Sequence, residues 1–449
     1  MKKKYIVLGS GFRAFTDCVE LSSDVNNEVT MLDPSKKFGN VMNSREVNGF
    51  AVDNGVHMFD SIPIKLAEII KEIMEDQVID IDFVSESAFG GKVTEGFSLP
   101  DLSSLSTKVK KRIYDELVAE KNTPIDQASI KSVSDFFIKR YGPTAGSIFE
   151  DIFFRLYSID SKDIDFTAIS TTSLARLKFL DDPEMIELKE QSEKLDSILA
   201  ARRKSQGKLD DFVSIYPKSK KGMRGWCENA VDWMENKRAI NIRLGEKICS
   251  IQEDSEQIKV TTEEGDYFAD KIIWSNDNYQ DLAHLTDIDL DFENLFHKVP
   301  MIFMTLITDS KNIKNFTYIQ NFNENGIANR FAAAGLYSNQ IKEDGSSFIT
   351  AECPTPVGSE RWEKSETLHE NVWEEAKDLQ VIDSKSELIS FDTIKIPQTI
   401  KMKKYGFDMK FNQFCEEVTS KYKRIILRKN IPFFRREIYL ESLNLKDYL

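Results

Sequence analysis

A short glycine-containing segment near the start of the chain has the composition of a phosphate-binding turn. Gly9, Ser10 and Gly11 follow an apolar run, and a small residue, Ala14, comes shortly after them. The first glycine permits a tight turn, and the second lets the backbone approach a diphosphate closely. Amide groups at the start of a following helix would donate hydrogen bonds to such an anion. The segment therefore predicts a seat for the diphosphate of a dinucleotide.

The residues around this turn predict a strand before it and a helix after it. Residues 5–8 are all apolar, which is typical of a buried parallel strand, and the apolar residues after Ala14 recur at helical spacing. A second predicted strand, residues 28–32, is followed by Asp33, where a carboxylate can accept hydrogen bonds from a ribose. This order is that of a dinucleotide-binding βαβ unit. The alternative is an α/β protein with an unrelated glycine turn.

The composition narrows the classes of function. A chain of 449 residues with 41% apolar residues predicts two or three soluble domains that can bury a large ligand. The net charge of −14 disfavours binding to nucleic acid or to anionic lipid. The longest apolar run, residues 299–307, is too short to span a bilayer, so we expect no integral membrane segment.

The cysteines and histidines show no pattern of metal ligands. The five cysteines are scattered and odd in number, which predicts neither a disulfide framework nor a zinc cluster and favours a reducing cytoplasm. None of the four histidines stands at metal-ligand spacing to another. We therefore predict no metal, and neither metal catalysis nor a Ser–His hydrolase is favoured.

Two stretches after Asp33 carry a family resemblance. The loop of residues 34–40 is followed by NGFAVDNGVHMF at residues 48–59, and this order resembles the N-terminal signature of the FAD-dependent amine oxidase, protoporphyrinogen oxidase and phytoene desaturase superfamily. In that family the second loop runs under the diphosphate and the flavin. The sequence departs from the pattern at Asn40, where a second glycine is usual, and at Val41, where a basic residue often follows.

Further matches lie along the rest of the chain. Residues 216–276 resemble the family block that completes the FAD domain, and they predict a helix at 226–234, strands at 240–244 and 271–274, and a hairpin turn at Gly265. Residues 132–166 resemble the helical insertion of protoporphyrinogen-oxidase-like proteins, with phenylalanines that we expect mostly in the core. We expect the charged run at 182–208 to form an exposed helix.

The turn, the acid and the resemblance together give a set of predicted cofactor-binding residues. In the family, the residue that matches Ile248 offers its backbone to the adenine. The full set comprises Gly9, Ser10, Gly11, Phe12, Arg13, Ala14, Asp33, Pro34, Ser35, Gly39, Asn40, Asp53, Gly55, Val56, His57, Met58, Ile248 and Asn276.

A catalytic role and a substrate role are predicted for a few other side chains. If the second loop passes the isoalloxazine, the imidazole of His57 could steer protonation or bind a polar substrate group. The alternative is a structural histidine that bonds to the loop backbone. Lys218, Lys221 and Arg224 could attract an anionic or sugar-linked substrate, and the alternative for them is a solvated loop.

The end of the chain departs from the family pattern. Residues 424–427 predict a strand, but the following residues 428–436 lack the glycine of the family's "GD" or "GR" motif, which precedes a helix facing the flavin. Their basic side chains could replace that helix dipole by placing cations near a flavin anion or a substrate phosphate. The alternative is a solvated basic tail.

The resemblance implies an α/β fold in which a discontinuous Rossmann-like FAD-binding domain accompanies a mixed helical and sheet substrate domain. We assign residues 1–67, 205–283 and 388–449 to the first domain and residues 68–204 and 284–387 to the second.

Three functions are consistent with the sequence. The first is a FAD-dependent oxidoreductase that takes a hydride from a small molecule to flavin N5, which the absence of a second glycine fingerprint for nicotinamide favours. The second is a flavin-dependent nucleotide-sugar mutase like UDP-galactopyranose mutase, which carries a similar Gly-Asn pair. The third is a FAD-binding protein with a degenerate catalytic site.

Overall fold

The computed structural model describes residues 2–202 and 211–449. The domain boundary predicted at residue 205 and the end of the run at 182–208 lie outside the described residues. Within the described ranges, no helix is long and apolar enough to cross a membrane.

The described residues contain strands β1 to β20 and α-helices α1 to α13. The strands are β1 (Lys3–Leu8), β2 (Asn27–Asp33), β3 (Arg45–Val47), β4 (Phe50–Val52), β5 (Phe59–Pro63), β6 (Val78–Asp80), β7 (Ser85–Phe89), β8 (Lys92–Glu95), β9 (Phe212–Pro217), β10 (Asn241–Leu244), β11 (Ile248–Glu253), β12 (Ile258–Thr262), β13 (Asp266–Ala269), β14 (Lys271–Trp274), β15 (Phe296–Asp309), β16 (Tyr318–Asn321), β17 (Arg330–Ala332), β18 (Ser346–Pro354), β19 (Ser390–Lys403) and β20 (Ile425–Ile426). The helices are α1 (Phe12–Leu21), α2 (Ile64–Ile73), α3 (Thr107–Ala119), α4 (Val133–Tyr157), α5 (Asp182–Lys189), α6 (Glu193–Ile198), α7 (Met223–Arg238), α8 (Tyr279–Thr286), α9 (Ala334–Tyr337), α10 (Glu360–Glu363), α11 (His369–Asp378), α12 (Phe407–Lys421) and α13 (Arg435–Leu443).

The chain divides into two compact units, and each is built from separate stretches of sequence. The first unit comprises residues 1–81, 211–294 and 408–449, and the second comprises residues 82–210 and 295–407. Residues 388–407, which the sequence analysis assigned to the first domain, lie in the second unit. The reason is that β19 pairs along β15 over most of its length, so its backbone hydrogen bonds are made in the second unit's sheet.

The first unit is built around a five-stranded sheet with the order β10-β2-β1-β14-β20. All four pairings in this sheet are parallel, and α1 packs against β1 and β2. The buried strands are nearly continuous apolar runs because both faces of such a sheet are covered. This is the Rossmann-like α/β arrangement that the sequence predicted.

Three smaller sheets accompany it in the first unit. The strands β11, β12 and β13 form an antiparallel sheet, and Gly265 lies in the turn between β12 and β13, as predicted. The other two are the hairpin of β3 with β4 and the sheet of β5, β9 and β6. The strand β9, from a distant stretch of sequence, pairs with both β5 and β6.

The second unit is a seven-stranded sheet with helices. The strand order is β19-β15-β18-β17-β16-β7-β8, and β16 and β7 are its parallel pair. Side chains of β15 alternate between two cores, because Met301 and Phe303 pack with α3 to α6 while Ile302 and Met304 pack with α11. This period of two is the one expected of a strand buried on both faces.

One expectation about the second unit needs correction, and another is confirmed. The run at 182–208 is not one exposed helix: within its described part α5 and α6 are short, and Met185, Leu188 and Leu195 are buried in the core. The phenylalanines of α4 are divided as helical spacing requires. Phe137, Phe149 and Phe153 are buried, whereas Phe154 is 59% exposed.

Candidate dinucleotide-binding site

The turn between β1 and α1 has the backbone geometry that the sequence predicted. Gly9 has a φ of +139°, and a Cβ atom there would lie 2.8 Å from the carbonyl oxygen of Ser275. Its amide donates a hydrogen bond to the carbonyl oxygen of Leu32 on the neighbouring strand at 2.9 Å. The fold itself therefore requires glycine at position 9, because any side chain there would clash with the backbone at the end of β14.

Gly11 is different, because the protein leaves space in front of it. It caps the N-terminus of α1 with a φ of −90°, a value that any L-residue can adopt. Among the described residues, the nearest atom to a Cβ built there is Nδ2 of Asn40, at 3.9 Å. Packing within the protein does not explain a glycine here, whereas close approach of a ligand to the backbone does.

The N-terminus of α1 can accept an anion. The first amide groups of a helix have no intrahelical acceptor, and Gly11 has no side chain with which to cap them. The first turn of α1 contains no acidic residue that would occupy this position. The free amide groups and the helix dipole therefore favour a phosphate here.

Asp33 ends β2 beside this turn. Its carboxylate accepts a 2.7 Å hydrogen bond from the amide of Ser35, and its backbone oxygen accepts from the amide of Gly245. Burial raises the pKa of the Asp33 carboxyl, and the Ser35 amide opposes this effect. Pro34 is exposed. Backbone contacts thus fix the end of β2. The carboxylate of Asp33 lies at the carboxyl end of this strand, which is where ligands bind in open parallel sheets.

The loop after Asp33 explains the departure of Asn40 from the family pattern. Gly39 has a φ of +96°, and a Cβ atom there would lie 2.3 Å from Sγ of Cys227 on α7. Its amide donates to the carbonyl oxygen of Ser10 at 2.7 Å. Asn40 follows with a φ of +44°, in the left-handed region that asparagine tolerates better than most residues. Asparagine is thus compatible with the left-handed backbone at this position.

Asp53 binds three parts of the first unit together. Its buried carboxylate accepts hydrogen bonds from the hydroxyl of Ser44 at 2.6 Å and from that of Tyr216 at 2.9 Å. Burial raises the pKa of Asp53 to about 6 in spite of these bonds and of the positive charge of Arg435. Both carboxylate oxygens are used within the protein, so the side chain positions the loop.

His57 is held through both of its ring nitrogens. Nε2 lies 2.9 Å from the carbonyl oxygen of Asn54, and Nδ1 lies 3.1 Å from Nη2 of Arg435. A guanidinium can only donate, so Nδ1 accepts and the proton of a neutral imidazole resides on Nε2. These contacts favour the structural alternative for His57.

Several other predicted residues are engaged elsewhere in the first unit. The ring of Phe12 packs 6.0 Å from that of Phe59, and the guanidinium of Arg13 pairs with Glu441 at 2.5 Å. Ala14 and Met58 are buried, whereas Val56 is half-buried in the loop that contains Gly55. Their backbones lie along the turn and the second loop, but these side chains serve the protein core or its ion pairs.

The two C-terminal members of the predicted set lie beside strands of the first unit. Ile248 begins β11 opposite Thr262. Asn276 follows β14, and its side-chain oxygen accepts from the amide of Asn278 at 2.9 Å. Asn276 is adjacent to Ser275, which contacts Gly9, so it lies at the turn, whereas Ile248 belongs to the antiparallel sheet.

The predicted substrate-binding cations do not form an anion pocket. Lys218 and Lys221 are exposed, and Nζ of Lys221 lies 2.5 Å from Glu228. Arg224 approaches the same carboxylate at 3.9 Å. The carboxylate of Glu228 offsets part of the charge of Lys221 and Arg224, and Arg224 belongs to α7 and not to the loop before it.

The C-terminal segment packs on α1 and is not a solvated tail. Arg428 is buried and pairs with Asp17 through both terminal nitrogens, at 2.8 and 2.5 Å. The hydroxyls of Ser275 and Ser442 donate to the same carboxylate. The segment includes β20, which lies within the strand predicted at 424–427 and pairs with β14, and α13, which begins only at Arg435.

Solved structures share this fold over nearly the whole chain. A protein described as a protoporphyrinogen oxidase from Exiguobacterium sp. 255-15 has a TM-score of 0.69 and 14% identity, covering 100% of this chain and 98% of the other. Reduced UDP-galactopyranose mutase has a TM-score of 0.73 and 14% identity, covering 100% and 93%. This chain has the fold of these two enzymes. A fatty acid isomerase from P. acnes that produces CLA matches with a TM-score of 0.55 and 13% identity over 99% and 98%.

The similarity is one of structure and not of close sequence. Neither a protein-family model nor a curated protein sequence matches the chain. The resemblance seen in the motifs is confirmed at the level of the fold, which the protoporphyrinogen oxidase-like structures share. At 13–15% identity the fold does not specify a reaction.

The sequence did not single out two residues that contribute to this candidate site. Tyr216 bonds to Asp53 across 163 positions, and Arg435 bonds to His57 across 378. A basic residue in a basic segment gives no local sign of its partner. The missing glycine was the available signal that this segment differs from the family pattern.

Proposed function

We propose that the protein binds FAD in its first unit and acts as a FAD-dependent oxidoreductase on a small organic substrate. The observation that carries the proposal is the space in front of Gly11 at the uncapped start of α1, next to Asp33 at the end of the adjacent strand. Similarity to oxidase and mutase structures supports it.

The residues of the first unit fit the dinucleotide part of FAD. The amide groups of the first turn of α1 would hold the diphosphate, and the carboxylate of Asp33 would accept from the ribose hydroxyls. When bound, the flavin supplies the hydride chemistry at N5, and the protein supplies binding, orientation and exclusion of water. Hydride transfer to a flavin requires no catalytic triad from the protein.

His57 would act mainly by shaping the loop that contains Asp53 and Met58. Its Nδ1 is occupied by the guanidinium of Arg435, and its Nε2 faces the carbonyl oxygen of Asn54. Transfer of a proton through either nitrogen would first require breaking one of these contacts. We therefore give His57 a positioning role and leave the redox step to the flavin.

The visible spectrum of the purified protein and the mass of its released cofactor test the binding proposal. We expect flavin absorption, or its appearance after incubation with FAD, and release of FAD on denaturation. A colourless protein that takes up no FAD by calorimetry would contradict the proposal. Anaerobic bleaching by amines, porphyrinogens or desaturation substrates then identifies the oxidoreductase class.

A flavin-dependent nucleotide-sugar mutase is the second candidate. The Gly39–Asn40 pair with its left-handed backbone and the TM-score of 0.73 to UDP-galactopyranose mutase favour it. In this case turnover of a nucleotide sugar would require prior reduction by dithionite and would cause no net oxidation. Bound FAD that responds to neither class of substrate would indicate a binding protein whose catalytic site is degenerate.

A further inference from the structure

The C-terminal segment brings four basic side chains to the first unit, and their charges are balanced differently. Arg428 forms a buried bidentate pair with Asp17, and Lys429 pairs with Glu416 at 3.0 Å. Arg436 lies over the ring of Phe212 at 5.4 Å. Arg435 is the member of this group that reaches the loop around His57.

Both hydrogen-bond acceptors of Arg435 are neutral. Nη1 donates to the carbonyl oxygen of Met58 at 2.7 Å, and Nη2 donates to Nδ1 of His57 at 3.1 Å. Burial lowers the pKa of Arg435 to about 10, so the group remains a cation at neutral pH. The carboxylate of Asp53 acts on it through space, since the oxygens of Asp53 accept from Ser44 and Tyr216. Both of its hydrogen bonds are thus made to neutral groups, and the carboxylate of Asp60, like that of Asp53, acts on this partly buried cation only through space.

Two aromatic rings connect this cation to the first residue of α1. The guanidinium carbon is 5.7 Å from the ring centroid of Phe59, which in turn is 6.0 Å from that of Phe12. Phe12 is the first residue of α1 and directly follows Gly11. Phe59 thus packs against both Arg435 and the first residue of α1.

A partly buried charge without a directly bonded counter-ion is costly, and such a charge in the unit that contains the predicted dinucleotide turn points to an anionic ligand. We propose that Arg435 is a further ligand-binding residue that presents its charge to the anionic part of the bound dinucleotide, and that His57 positions it. The inference rests on the proposed function. The anionic part is either the diphosphate or the reduced flavin ring, and the two are separable by experiment.

The experiment compares Arg435→Gln and Arg435→Lys with Arg436→Gln as the matched control on the next residue. Calorimetry measures binding of FAD, ADP and adenosine, and urea unfolding checks that each variant is folded. If Arg435 faces the diphosphate, we expect Arg435→Gln to weaken FAD and ADP about tenfold but adenosine less than twofold, because a charged hydrogen bond is lost. Arg435→Lys should restore part of the loss, and Arg436→Gln should bind like the wild type.

If Arg435 faces the flavin ring, ADP binding stays unchanged. The affinity ratio of reduced to oxidised FAD then falls about tenfold in Arg435→Gln, which equals a change of about 30 mV in the two-electron midpoint potential. Equal weakening of ADP and adenosine would show a purely structural role and overturn the proposal. So would wild-type affinities together with an unchanged potential.

Titration with inorganic pyrophosphate separates this inference from the proposed function. A wild-type protein that binds pyrophosphate but no FAD would contradict the proposed function. Weaker pyrophosphate binding by Arg435→Gln would in that case still support the role of Arg435 toward anions. Equal pyrophosphate binding by both proteins, without any FAD binding, would overturn both.

Discussion

Single residues of the glycine turn separate the requirements of the fold from those of the ligand. Gly9 has a positive φ and contacts Ser275, so its glycine serves the protein. Gly11 has an ordinary φ and open space where a Cβ atom would stand. Glycine is therefore needed at positions 9 and 11 for two different reasons, and only the reason at position 11 concerns ligand binding.

The substitution Gly11→Ala tests the second reason. We expect FAD binding to weaken about a hundredfold by calorimetry, because a methyl group would separate the backbone from the diphosphate. The free energy of unfolding in urea should change by less than about 1 kcal/mol, since the lower entropy of the unfolded chain and the poorer N-cap preference of alanine oppose each other. Gly9→Ala is the contrast, and it should destabilise the FAD-free protein. Unchanged FAD affinity in Gly11→Ala would count against the site.

Asp53 gives the stability a dependence on pH. Burial raises the pKa of its carboxyl to about 6, above the ordinary value of 3.8, so between these values the folded protein binds the proton more tightly than the unfolded chain does. The stabilisation is complete below about pH 4 and is lost as the pH rises through 6. Its size is about 3 kcal/mol at 1.36 kcal/mol per pKa unit.

The variant Asp53→Asn isolates this effect, because its amide oxygen can still accept from Ser44 or Tyr216. We expect the difference in unfolding free energy between wild type and variant to shift by about 3 kcal/mol in favour of the variant between pH 4 and pH 7.5. Urea unfolding of the FAD-free proteins at several pH values measures it. Parallel pH profiles for the two proteins would show that Asp53 does not titrate in this range.

At the scale of elements, the C-terminal segment is fastened to α1 by a buried ion pair. Asp17 accepts from Arg428, Ser275 and Ser442, which belong to different stretches of the chain. The network joins α13 and the end of β14 to the helix that starts at the glycine turn. These long-range contacts hold the C-terminal segment against α1. The sequence had allowed two interpretations of the segment, a solvated tail or a set of ligand-binding cations.

Removal of one partner from this pair should be strongly destabilising. We expect Arg428→Ala to lose about 3–5 kcal/mol of unfolding free energy, because the carboxylate of Asp17 would remain buried without its counter-ion. Lys429→Ala, which removes an exposed pair with Glu416, should cost less than about 1 kcal/mol. The double variant Asp17→Leu with Arg428→Met should recover much of the loss. An effect of Arg428→Ala no larger than that of Lys429→Ala would contradict this account.

The elements themselves were largely predictable. The strands at 5–8, 28–32 and 271–274 and the helix at 226–234 were found near the predicted positions, because their apolar spacing is local. The prediction of a single exposed helix for the charged run at 182–208 was wrong, since apolar residues such as Leu188 and Leu195 are buried in the core. Charge at the surface positions concealed the apolar face.

At the scale of the whole molecule, the proposed binding unit is assembled from three stretches of sequence. The parallel sheet takes β1 and β2 from the first stretch, β10 and β14 from the second, and β20 from the third. Ligand binding at the carboxyl ends of these strands should therefore stabilise all three stretches together, although they are far apart in sequence.

Hydrogen exchange measures this coupling. At an FAD concentration of a hundred times Kd, the free energy of unfolding should rise by about 2.7 kcal/mol through ligand linkage. We expect the gain in amide protection to be strongest in residues 1–81, 211–294 and 408–449. In Gly11→Ala it should fall to about 0.4 kcal/mol at the same concentration, because a hundredfold weaker affinity makes that concentration equal to the variant's Kd. Protection confined to the first stretch would contradict a single cooperative unit.

The sequence by itself determined the βαβ unit, the acid after its second strand and the family of folds, because these depend on residue types at short, fixed spacing. The tertiary structure decided which of the predicted side chains can contact a ligand and which are engaged within the protein. It gave Asp17 to Arg428 across 411 positions and His57 to Arg435 across 378, and it turned Asp53 toward Tyr216. Such pairings depend on how distant segments pack, and a local pattern of residues carries no information about which partner a charge will meet.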